Sequence, residues 1–170
     1  MSGPVPFTYQ TQKMSKPKIH AIAQETLDEK QREAVMDFVN FVQALKMTPQ
    51  WSSTNSWTVS YKNKRVCHIK ISNSTAGLGS WYIRPALQCS QNLSEFCIRA
   101  HLEKIMLANV HFCHACGRCA PGKTAEFWGQ TLNGVCCSPI DFEFHNPDAP
   151  TLKCIKELIR YRRQEIAALH

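Results

Sequence analysis

The sequence predicts an α+β fold, with helices packed on an antiparallel sheet of three to five strands and a cysteine-rich metal-binding loop inserted. Three observations carry that reading. Apolar residues recur at helical spacing in three stretches, 35–45, 98–106 and 152–166. Apolar and polar residues alternate over 57–61 and again over 66–71, as one buried sheet face requires. Five of the nine cysteines fall within 113–137.

Taken in order, residues 1–23 hold Pro4, Pro6 and Pro17 among polar residues and are expected as a flexible arm. The domain is expected to run from 24 to 170. Thr26 and Glu29 fit a capping box, in which each side chain satisfies a backbone donor at a helix start. Val35, Phe38, Val39, Val42 and Leu45 then form one stripe, which Pro49 ends. Trp57, Val59 and Tyr61 predict a strand. Lys62-Asn63-Lys64 predicts a turn, and Cys67, Ile69 and Ile71 predict a second strand. After a loop with Gly77 and Gly79 comes a third strand, 80–84. Short connections make the three an antiparallel meander.

Ser94 is expected to cap a helix carrying Ile98, Leu102, Ile105 and Met106. Past the cysteines, Ile140, Phe142 and Phe144 alternate with Asp141 and Glu143 as a short strand. Asn146-Pro147-Asp148 makes a turn, and Pro150 suits the first position of a last helix with Leu152, Ile155, Leu158, Ile159 and Ile166.

The chemistry concentrates in the cysteines. Cys113, Cys116 and Cys119 follow one another as Cys-x-x-Cys-x-x-Cys, a spacing that brings thiolates to one point. Zinc takes four ligands in a tetrahedron, so one of Cys136 and Cys137 is expected to close the site, with Gly129 and Gly134 favouring the returning loop. The expected cofactor is structural Zn2+, contributing folding free energy to an irregular stretch. An iron–sulfur cluster is the alternative, although its usual run wants a further Cys and Pro where Lys123 stands. His111 and His114 are reserve ligands. Cys67, Cys97 and Cys154 fall on apolar faces and are expected in the core, and Cys89 carries no signal.

Gly117 to Thr124 also fits the phosphate-loop pattern G-x-x-x-x-G-K-[ST]. Its context argues against nucleotide binding. No uninterrupted buried strand precedes it, too little chain follows for a nucleotide fold, and Cys119 is better used by metal.

The net charge is +7, and residues 49–125 hold nine Lys or Arg against two Asp or Glu. A basic middle segment suits a nucleic-acid surface or, more simply, a solvated sheet face. No apolar run approaches the ~20 residues of a membrane span. The first twenty residues lack the apolar core of a secretory signal, so a cytoplasmic protein without membrane contact is expected.

Trp57-x-x-Ser-Tyr61-Lys62-x-Lys64, running into Val66-Cys67-x-Ile69, resembles YdhG-type, frataxin-like domains over residues 25–85. That resemblance implies a helix preceding a Trp-containing antiparallel sheet. The acidic first helix of that group is matched only in part, by Asp28, Glu29, Glu33 and Asp37, which read better as a solvated face. The clustered cysteines, Asn146-Pro147-Asp148 and the basic last helix are similar to uncharacterised bacterial cysteine-rich proteins.

These readings converge on a zinc-stabilised, non-catalytic binding protein whose partner is a small molecule or a protein. Trp57, Tyr61, Trp81 and Arg84 are its candidate ligand pocket, with aromatics for an apolar body and Arg84 for an anionic group. The alternatives are a metal- or thiol-dependent enzyme or redox protein, using the thiol left over from Cys136-Cys137, and a nucleic-acid-binding module.

Overall fold

The computed structural model describes residues 8–73, 79–114, 122–136 and 141–169. The described part of the expected arm is helical. α1 (Tyr9–Ser15) starts where the Thr8 hydroxyl accepts the Thr11 N–H, and it closes on Lys16 at φ 44°. α2 (Ile19–Thr26) buries Ile19, Ile22 and Ala23, an i, i+3, i+4 set. Pro17 sits between the two helices, where it costs neither a backbone bond; three prolines had masked the short apolar set.

α3 (Glu29–Ala44) is capped by Asp28, whose carboxylate accepts the Gln31 N–H at 2.8 Å. The expected Thr26–Glu29 box does not form, because Thr26 is the last residue of α2. Val35, Phe38, Val39 and Val42 are buried, as their spacing requires.

β1 (Gln50–Ser53), an additional strand, pairs antiparallel with β2 (Ser56–Tyr61), which pairs antiparallel with β3 (Lys64–Ser72). Lys62 and Asn63 turn between β2 and β3 at φ 46° and 61°, the left-handed pair a two-residue hairpin needs. β4 (Ser80–Pro85) follows.

The helix expected from Ser94 through Met106 is two helices. α4 (Gln91–Arg99) is capped by Ser90, four residues before Ser94, and α5 (Glu103–Ala108) follows a break where His101 adopts φ 54°. β5 (Lys123–Phe127) and β6 (Gln130–Val135) form a separate two-stranded sheet that no alternation in the sequence announced. The expected strand around Phe142 shrinks to β7 (Phe144–His145). Asn146 turns at φ 40°, Asp148 caps α6 (Ala149–Ala168), and Pro150 lies in its first turn, as expected.

The main sheet is five-stranded and antiparallel, in the order β1-β2-β3-β4-β7. The chain divides into two compact parts, Met1–Ile83 with His145–His170, and Arg84–Phe144. In the first, α2, α3 and α6 pack together, and α2 and α6 contact β3. Trp57, Val59, Cys67, Ile69, Ile71, Trp81 and Ile83 are buried on the sheet. Both indoles are satisfied inside that core. Trp57 donates to the Pro17 carbonyl at 2.9 Å and Trp81 to Gln31 Oε1 at 2.8 Å, so neither burial leaves an unpaired N–H. Gln12 is also buried: its amide donates to Asn55 Oδ1, while its carbonyl accepts from the Asn55 N–H at 2.7 Å and Trp51 Nε1 at 3.1 Å.

Candidate functional site

In the Arg84–Phe144 part, the segment leaving α5 is held by backbone pairing rather than by a regular strand. Phe112 bridges antiparallel to Val135. The Cys113 N–H donates to the Gly134 carbonyl at 2.8 Å, and the Cys136 N–H to the His111 carbonyl at 2.9 Å. Val110 bridges to Phe142 likewise. The His111 N–H donates to the Asp141 carbonyl at 2.8 Å, and the Glu143 N–H to the Asn109 carbonyl at 2.9 Å. Residues 109–113 therefore pair with 141–143 and with 134–136.

Alternation along such a ladder assigns its faces. Val110, Phe112, Val135 and Phe142 take one face; Val110, Val135 and Phe142 are buried, whereas Phe112 is 42% exposed. His111, Cys113, Cys136, Asp141 and Glu143 take the other, and all five are half-buried. The ladder thus carries Cys113 and Cys136, 23 positions apart, onto one face. Cys116, Cys119 and Cys137 lie outside the described residues. Among the described residues, no three His, Cys, Asp or Glu side chains converge as a metal site.

Charge collects on the same face. Arg84 Nε is 3.2 Å from Asp141 Oδ2, another guanidinium nitrogen meets Glu143, and His111 Nδ1 lies 3.5 Å from Glu143 Oε2. Burial raises the Asp141 carboxyl above the usual carboxylate range, an effect that Arg84 partly offsets. The His111 and His114 rings stand 5.2 Å apart, edge to face. Sequence reasoning named His111 only as a reserve ligand and did not see the Arg84–Asp141–Glu143 group. Its members are 57 and 59 positions apart, and no local pattern links them.

The other thiols sort as expected for Cys67 and Cys97. Cys67 is wholly buried in the sheet and burial drives its thiol far above the usual range; burial pushes Cys97 up to about 12. Thiols held so firmly protonated are poor metal ligands and poor nucleophiles. Cys154 is half-buried rather than in the core, and Cys89 is exposed.

Trp57 and Trp81 lie in the core, and Tyr61 is half-buried with Arg163 4.5 Å from its ring centre. The Arg84 guanidinium is engaged by two carboxylates, with which an anionic ligand would compete.

Of the phosphate-loop match, residues 117–121 lie outside the described residues, but Lys123 and Thr124 open β5 rather than a helix. The Thr124 hydroxyl meets Asn133 Oδ1 across the hairpin at 2.9 Å. Gly122, at φ 93°, has a structural reason to be glycine: a Cβ there would stand 2.8 Å from Gly134 backbone atoms.

No protein-family model, curated protein or solved structure matches this chain significantly. No helix among the described residues is long and apolar enough to cross a membrane.

Proposed function

We propose that the chain is a small binding protein whose Arg84–Phe144 part is clasped by a structural zinc ion. Cys113, Cys116 and Cys119 supply three thiolates, and Cys136 or Cys137 the fourth. The observation that supports this is the Phe112–Val135 bridge, which sets Cys113 and Cys136 on one face of a single ladder. The remaining three cysteines are their near neighbours in sequence. Four thiolates complete a tetrahedron and leave no position for bound water, so the site is structural rather than catalytic. Zinc also offsets a local shortage: this ladder rests on two isolated bridges, and β5 and β6 bury only Val135.

The experiment is elemental analysis of purified protein with thiol titration. One zinc per chain is expected, lost on Cys113→Ser or Cys116→Ser and retained in Cys67→Ala. Iron with visible charge-transfer absorbance would instead support a cluster. Neither metal, with all nine thiols titrating, would overturn the clasp.

A second reading, a thiol- or metal-dependent enzyme, is favoured by one observation: His111, oriented by Glu143, shares a face with the two thiols. Rapid alkylation of one cysteine in the zinc-loaded protein, lost in His111→Gln, would favour it.

A further inference from the structure

The geometry points to a pocket for a small organic anion with a flat apolar body, an aromatic carboxylate or its like, in the part of the chain that holds no clustered cysteines. The inference rests on the binding-protein reading and names its ligand class. A cleft of about 400 Å³ lies where the link between α1 and α2 meets α3 and the first two strands. That volume falls within the range of small-molecule sites. Its apolar surface comes chiefly from the half-buried Met36 and Trp51, backed by the buried Ile19, Val39 and Trp57.

The two indoles are fixed before any ligand arrives. Trp57 donates to the Pro17 carbonyl at 2.9 Å and Trp51 to Gln12 Oε1 at 3.1 Å, and the Tyr9 ring lies 6.0 Å from that of Trp51. With its N–H committed, the half-buried Trp51 offers ring surface rather than a donor, while the buried Trp57 backs the cleft, and rigid walls lower the ordering cost of binding. Polar recognition then falls to the exposed side chains lining the same cleft, Lys16, Lys18 and His20.

None of the lining residues is acidic, and among the described residues neither lysine has a carboxylate partner. Two permanent cations beside an apolar slot select an anion and disfavour a cation. The first turn of α2, which has no side-chain cap, adds to the same positive field. A second cleft of about 410 Å³ has no such preference. It is lined by Lys30, Lys153 and Lys156 but also by Glu33, Asp37 and Asp148, and Lys156 is already paired to Asp37 at 2.7 Å.

Three probes of one shape test this by calorimetric titration into the full chain: 2-naphthoate, 2-naphthol and 2-naphthylmethylammonium. Naphthoate is expected to bind, naphthol about tenfold more weakly, and the ammonium not at all. Lys16→Glu with Lys18→Glu is expected to weaken naphthoate about tenfold or more at unchanged melting temperature, since both side chains are exposed. Lys30→Glu with Lys153→Glu, at the other cleft, makes the same change in net charge and is expected to leave binding intact. Equal affinity for all three probes, no naphthoate binding up to about 1 mM, or equal loss in both double variants overturns the pocket. Zinc measured on the same samples separates the two proposals. Naphthoate binding without zinc keeps the pocket and removes the clasp; zinc without naphthoate binding does the reverse.

Discussion

The two compact parts of this chain differ in what holds them. Residues 1–83 with 145–170 bury two whole indoles, Phe38 and a row of β-branched side chains on an antiparallel sheet. Residues 84–144 bury Leu93, Met106, Phe142 and Phe144, but their helices are short, and two of their pairings are single bridges. The part with the fuller core contributes one half-buried cysteine and one buried one, Cys154 and Cys67; the other holds the remaining seven. A continuous apolar core specifies its own fold. Where the core is thin, a metal can supply the missing free energy.

If the proposed zinc is bound, removing it should break the comparison most sharply. Metal binding in small thiolate domains is worth on the order of 10 kcal/mol, and all of it is folding free energy. A chelator, or Cys113→Ser, is expected to abolish hydrogen-exchange protection at the Cys113 and Cys136 amides while those of Val59 and Ile69 stay protected. Simultaneous loss in both parts would show one cooperative unit and end the distinction.

The complementary test is Trp81→Ala. It empties the largest kind of site in the first part and strands Gln31 Oε1, so a loss of about 3–5 kcal/mol is expected in denaturant titration. Zinc content of the folded protein should not change. A cost under about 1 kcal/mol would mean that the sheet core is not what stabilises this part.

How much of this was legible in the sequence follows the same division. The apolar stripe of α3, the alternation of β2 and β3 and the stripe of α6 were readable because each element buries one face, and periodicity records that directly. α2 was missed because its buried set, Ile19, Ile22 and Ala23, spans only one turn beside Pro17. The break between α4 and α5 was missed because Ile98, Leu102 and Ile105 keep helical spacing across it, although His101 turns left-handed between them. β5 and β6 were invisible because their strands are largely exposed, and because Trp128 at φ 47° with Gly129 makes a turn that Asn-Gly would have advertised. Of the five candidate cysteine ligands, only Cys113 and Cys136 fall among the described residues. Their shared face comes from pairing between distant segments, which no sequence window contains.

Two glycines sharpen the comparison at smaller scale. A Cβ on Gly79 would stand 2.6 Å from the Thr26 carbonyl oxygen, and one on Gly122 would meet Gly134 at 2.8 Å with φ 93° besides. Each change to Ala should cost about 1–3 kcal/mol through forced backbone shifts. Gly79→Ala should lower exchange protection where α2 meets the sheet, and Gly122→Ala only in the β5–β6 hairpin. Protection lost in both parts from either variant would count against separate stability.

The smallest effect expected is at Lys123, and it decides which chemistry the second part performs. Lys123 is exposed at the start of β5 and opposite Val135, and its neighbour Thr124 is already engaged with Asn133. A phosphate loop needs the lysine at the head of a helix, where backbone donors gather around an anion; a hairpin strand points successive side chains to opposite faces instead. Lys123→Ala should therefore change stability by no more than about 0.5 kcal/mol. Magnesium nucleotide should raise the melting temperature of neither parent nor variant. A ligand that binds only the native state must stabilise it, so a shift in the parent that vanishes in the variant would restore the phosphate loop. It would also replace the proposed clasp with a nucleotide site.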